Sequence, residues 1–250
     1  MMFREEPEFT KRVDRAADCG LNAIEFWGHG GKDIDGIAAR VKDRGLAVGA
    51  FVAPAGNLGD PANHETYVQS LKDALPIVRK LDCPRLIVTV GNEIEGMPRA
   101  EQHGNIVKAL KMVAPVAEDA GLTLCVEPLN ILVDHQGYFL STSTEGFGIL
   151  EEVGSPAVKL LFDIYHQQIT EGNLIANLTA GADRIGHLHV ADVPGRHEPG
   201  SGEINYRNVF AALMEAGWDG YAGLEYSPST PATEDSLDYT LAFRDALGMK

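Results

Sequence analysis

Two hydrophobic spacings alternate along the chain. Short, nearly unbroken apolar runs such as LTLCVE, VKLLFD, IGHLHV and YAGLE sit between longer stretches whose apolar positions recur every three or four residues. Runs of that length, bounded by turn formers, read as strands covered on both faces, and the 3.6-residue spacing reads as helix. The pattern predicts strands over Asn22–Trp27, Leu46–Ala53, Arg85–Val90, Leu122–Glu127, Val158–Asp163, Ile185–Val190 and Tyr221–Glu225. Helices are predicted over Pro7–Cys19, Asp33–Arg44, His64–Leu81, Ala100–Ala120 (disturbed at Pro115), Ser143–Val153, His166–Ala180, Tyr206–Ala216 and Thr233–Leu247. Several helices hand over to the next strand through a glycine, as at Gly20-Leu21, Gly45-Leu46, Gly121-Leu122 and Gly217-Trp218. Glycine takes the left-handed conformation that ends a helix.

Strand–helix alternation implies parallel strands joined by right-handed crossovers. The length of 250 residues suits a single (β/α)8 barrel domain over residues 1–250. The count is seven strands and eight helices, with a helix first. The absent strand is expected to precede Met1. An open seam beside Asn22–Trp27 should then lower stability or require closure by a partner chain.

Composition narrows the function. An apolar fraction of 44% and a charged fraction of 23% describe a water-soluble globular protein. A formal net charge of −15 disfavours nucleic acid, whose phosphates it repels. No signal peptide and no apolar stretch long enough for a membrane span is evident, so a cytoplasmic protein without membrane contact is expected. Cys19, Cys83 and Cys125 form no metal-binding spacing and read as reduced, buried thiols.

The chemistry lies at the strand ends. Glu127, Asp163, His189 and Glu225 close four successive strands, at the end where such barrels carry their active sites. Three carboxylates buried together are costly unless a positive charge sits among them. A divalent metal supplies it, and a set of oxygens with one nitrogen suits Mn²⁺, Mg²⁺ or Co²⁺ better than structural zinc. Glu127 and Glu225 lie three strands apart, so they can face a substrate from opposite sides and move a proton. His187 shares the parity of His189 and should lie one layer lower, supporting it by hydrogen bonding. Glu25 is expected to face inward and polarise a substrate hydroxyl, and Trp27 to stack on an apolar sugar face. The loops after Glu127 and Val190 are the longest, and loops of this kind tend to be functional.

The stretches VEPLN (Val126–Asn130), FDIYHQQ (Phe162–Gln168), IGHLHVADVPGRHEPGSGEINY (Ile185–Tyr206) and GLEYSP (Gly223–Pro228) resemble hydroxypyruvate isomerases. These belong to the xylose isomerase-like barrel superfamily, which includes the ketose 3-epimerases. The resemblance runs from the first helix to the last. It implies that Glu127, Asp163, His189 and Glu225 ligate a metal, and that His166 and Arg196 contact substrate oxygens. Glu203 could then orient Arg196. His189 departs toward the epimerases, since some hydroxypyruvate isomerases carry Gln there. Family members also begin with a strand that leads into a segment like MMFREEPEF. The implied protein is a homo-oligomeric isomerase acting on a small hydroxy-carbonyl compound. The alternatives are a ketose 3-epimerase, a partner-dependent lyase or deglycosidase subunit, and a non-catalytic metal- or sugar-binding barrel.

Overall fold

The computed structural model describes residues 2–54 and 56–246, apart from the Phe243 side chain. The strands are β1 (Ala23–Phe26), β2 (Ala47–Val52), β3 (Arg85–Val88), β4 (Thr123–Val126), β5 (Val158–Asp163), β6 (Ile185–Val190) and β7 (Ala222–Leu224). Between and around them run α1 (Phe9–Asp18), α2 (Ile34–Asp43), α3 (His64–Lys80), α4 (Arg99–Ala120), α5 (Ser143–Val153), α6 (Ile164–Thr170), α7 (Leu174–Ala180), α8 (Tyr206–Glu215) and α9 (Asp238–Ala246). The strands are all parallel and lie in chain order from β1 to β7. They form a nearly closed barrel with helices outside, the expected α/β barrel.

Local chemistry sets the helix ends. Asp33 accepts a hydrogen bond from the Gly36 amide at 2.9 Å and starts α2, and Thr142 accepts one from Glu145 at the head of α5. Gly121 and Gly154 end α4 and α5 with φ of 64° and 70°, a conformation in which a Cβ would be strained. Pro115 does not interrupt α4. The single helical stretch expected over 166–180 is two helices, because Gly172 (φ 61°) breaks it. The last helix is shorter than expected, opening with a 3-10 turn at Glu234–Ser236, and Leu247 lies outside the described residues.

The main core fills the space between sheet and helices, with Phe51, Leu86, Leu110, Phe162 and Phe210 all buried. A second, smaller layer lies inside the barrel, formed by Ala50, Ile87, Cys125 and Leu161. These side chains make the floor on which the strand-end residues stand.

One seam is open. Among the described residues, β1 pairs only with β2 and β7 only with β6. A cavity of about 540 Å³ occupies the gap, walled by Val13, Ala16, Ile24, Phe26, Leu224 and Leu241 among others. It reaches up to Trp27 and Glu225 at the C-terminal ends of the strands.

Candidate metal centre

The four strand-end residues converge. Glu127 directly follows β4 and is held by its amide to the Val88 carbonyl at 3.0 Å. Tyr138 reinforces this strand end, donating its hydroxyl to the Glu127 carbonyl and accepting from the Val90 amide. Glu225 follows β7 and is tied in the same way to Val190. His189 lies in β6, opposite Asp163 of β5. Its Nδ1 is 3.2 Å from Glu127 Oε1 and 3.3 Å from Glu225 Oε2.

Asp163 has two duties. Its Oδ1 caps α6, accepting from the Tyr165 and His166 amides at 2.8 and 3.2 Å. Its Oδ2 is buried without a hydrogen-bond partner and faces the cluster. One side chain thus starts a helix and offers a free lone pair to the site.

The electrostatics call for a cation. Burial, aided by the Glu225 charge, outweighs the Arg196 and His189 charges and raises Asp163 to about 6. Burial would also raise Glu225, but His189, Arg196 and a hydrogen bond from Trp27 bring it down to about 2. Burial alone would lower His189; Glu25, Glu225 and Glu127 instead push it well above its ordinary value. A protonated imidazole is standing in for positive charge that the carboxylates need. Ligand atoms of Glu127, Asp163, His189 and Glu225 lie within 4.8 Å of one another, as do those of Glu25, His187 and His189. The orphaned Asp163 Oδ2 and the oxygen-rich donor set fit a divalent ion in the first group.

The remaining residues form a ring around this cluster. Burial and the nearby Arg196 charge lower His166 to about 4, so it is neutral. Asn130 donates to His166 Nδ1 at 2.6 Å, which leaves the proton on Nε2, 3.4 Å from Asp163 Oδ2. Arg196 has φ 55°, a left-handed conformation uncommon for a residue with a side chain. Its Nη2 donates to Glu225 Oε2 at 2.5 Å and lies 3.5 Å from Asp163 Oδ2. Trp27, 54% exposed, donates Nε1–H to Glu225 Oε1 at 2.8 Å and forms one rim of the site. Glu25 is engaged with His187, at 2.7 Å, and lies 3.4 Å from His189 Nε2. Glu203 accepts a hydrogen bond from Gln168 at 3.1 Å, and the carboxylates beside Arg196 are those of Glu225 and Asp163.

A model of the xylose isomerase-like TIM barrel matches residues 13–243. The chain belongs to that family. It is 31% identical to hydroxypyruvate isomerase of Escherichia coli K12, over 98% of this chain and 96% of the relative. It is 33% identical to 2-oxo-tetronate isomerase of Cupriavidus necator, over 91% and 90%. The crystal structure of an AP endonuclease, family 2, from Brucella melitensis superposes with a TM-score of 0.91 at 31% identity, covering 98% of this chain and 96% of that one. Family and site together make this a metal-binding barrel of the isomerase or epimerase type, acting on a small sugar or hydroxy-carbonyl compound.

Three contributors escape the sequence reading. Asn130 was visible only as the end of VEPLN, yet it fixes the His166 tautomer. Tyr138 lies in a loop without periodicity, and its role depends on two separate strand ends. Asp192 organises the loop that carries Arg196, accepting from the Val193, Ile204 and Gly200 amides at 2.9, 3.1 and 2.7 Å. A carboxylate two residues before a Pro-Gly turn was its one sequence signal.

Proposed function

We propose that the protein interconverts hydroxypyruvate and 2-hydroxy-3-oxopropanoate (tartronate semialdehyde). The observation that carries this is the pair Glu127 and Glu225. Their carboxylates approach the same imidazole nitrogen from strands three apart. With a three-carbon substrate bound against these groups, one takes a proton from C3 and one returns a proton to C2. The hydroxyl proton passes from the C3 oxygen to the C2 oxygen, and no redox cofactor is consumed. A divalent ion held by Glu127, Asp163, His189 and Glu225 would polarise the substrate oxygens and stabilise the enediolate charge.

Each other residue has a matching task. Arg196 offers a guanidinium to the substrate carboxylate, a geometry for which its planar fork suits it. His166, neutral with its proton on Nε2, donates a hydrogen bond to a substrate oxygen. Trp27 covers one side of the site and restricts water.

A longer 2-oxo acid is the second reading, favoured by the likeness to 2-oxo-tetronate isomerase. A ketose 3-epimerase uses the same groups but returns the proton to the opposite face of one carbon, and His189 favours it. Initial rates with hydroxypyruvate, a four-carbon 2-oxo acid and fructose, each with Mg²⁺, decide among them. Hydroxypyruvate should give the highest kcat/KM. Arg196→Lys should raise KM for both acids by roughly 10–100-fold, the worth of one charge-assisted hydrogen bond, and raise it less for fructose, which has no carboxylate. Turnover of fructose alone would refute the proposal.

A further inference from the structure

Glu25 lies in the barrel's interior layer, on the far side of the seam from its partners. The rest of that layer is the apolar set Ala50, Ile87, Cys125 and Leu161. Register places Glu25 beside Ala50 and His187 beside Leu161, so a carboxylate and an imidazole complete an otherwise apolar ring. Glu25 Oε2 accepts from His187 Nε2 at 2.7 Å. Its Oε1 is 3.4 Å from His189 Nε2, a buried atom that has no hydrogen-bond partner of its own.

The path between them crosses β7 at Gly223. A Cβ on Gly223 would overlap the Glu25 carboxylate. The glycine is therefore what lets a β1 side chain reach two β6 imidazoles across the intervening strand. Its φ is not in the left-handed region, so the backbone itself does not demand glycine here.

We infer that Glu25 is a positioning residue for the metal ligand His189, seated by Gly223 and steadied by His187. It receives the Nε2–H of His189 and so leaves the Nδ1 lone pair directed at Glu127, Asp163 and Glu225. A carboxylate behind a ligating imidazole fixes ring orientation and tautomer and makes the nitrogen a better donor. The inference rests on the reading that His189 ligates a divalent ion together with those three carboxylates. It moves Glu25 from the substrate to the support of the ligand shell.

Mn²⁺ titration, with free ion counted by electron paramagnetic resonance, gives affinity and stoichiometry without any turnover. The wild-type protein should bind one ion, and Asp163→Asn should lose it; a wild-type protein that binds none overturns the metal reading and this inference with it. Glu25→Ala should weaken Mn²⁺ binding about 10–100-fold, measured well below the thermal midpoint. Glu25→Gln, which keeps an acceptor oxygen, should fall between. Gly223→Ala should reproduce the loss although it alters no ligand, and should add nothing in the Glu25→Ala background. Undiminished affinity in all three single variants, with only the midpoint lowered, would make Glu25 a structural tie across the seam and overturn the inference alone. Two ions in the wild-type protein, one of them lost in Glu25→Gln, would also overturn it by making Glu25 a ligand itself.

Discussion

Glu127 and Glu225 are asked to be both ligands and bases. A carboxylate can keep one oxygen on a cation and use the other for a proton, whereas a glutamine keeps the ligating carbonyl and loses the base. Glu127→Gln and Glu225→Gln should therefore each lower kcat by about 10²–10⁴-fold with metal still bound. Near-normal turnover in both at saturating metal would reduce them to ligands. The protonation pattern makes a second prediction. In the metal-free protein His189, pushed well above its ordinary value by Glu25, Glu225 and Glu127, carries a proton at neutral pH. Asp163, raised to about 6 by burial, takes up another as the pH falls through that value. A cation must displace these protons. As the pH is lowered, metal affinity should fall about tenfold per unit down to pH 6 and about a hundredfold per unit below it, because one and then two protons must be displaced. Calorimetry in buffers of different ionisation enthalpy measures the proton count. An affinity independent of pH between 5 and 8 would contradict the protonation assignments.

At the level of elements, the strands were the most legible part of the chain. Runs such as VKLLFD and IGHLHV coincide with β5 and β6 residue for residue, because strands buried on both faces are mostly apolar, with Lys159, Asp163, His187 and His189 as the exceptions. The helix over 166–180 was less legible. Its start at Ile164 depends on Asp163 acting as a cap while also facing the site, and its break depends on the left-handed backbone at Gly172. The strand-end ligands could be read because each sits within one residue of the end of a largely apolar run. Glu25 could be placed on an inward face, but its partners could not. They lie across a strand, and only Gly223 makes the reach possible. The expected open seam is present, and it carries its own prediction. Amides of β1 and β7 have no strand on their outer side among the described residues, so they should exchange with solvent faster than those of β3, β4 and β5. Hydrogen exchange read by mass spectrometry checks this, and uniform protection across all seven strands would show that something seals the gap.

For the whole molecule, charge and architecture point the same way. A net charge of −15 is unfavourable for holding a phosphate backbone, and the anionic carboxylates concentrated at the barrel mouth attract a cation instead. Among the described residues no helix is long and apolar enough to cross a membrane. The barrel supplies a rigid ring in which distant parts of the chain, from residue 25 to residue 225, meet within a few ångströms. Such a ring suits proton transfer between two carbons of a small molecule, where the reacting groups must be held still on opposite sides. The most direct measurement is proton NMR of hydroxypyruvate incubated in D₂O with the Mg²⁺-loaded protein. The account predicts loss of the C3 proton signal and appearance of 2-hydroxy-3-oxopropanoate, both abolished by a chelator and restored by the ion. Hydroxypyruvate that keeps its C3 protons and gives no product, with metal demonstrably bound, would contradict it.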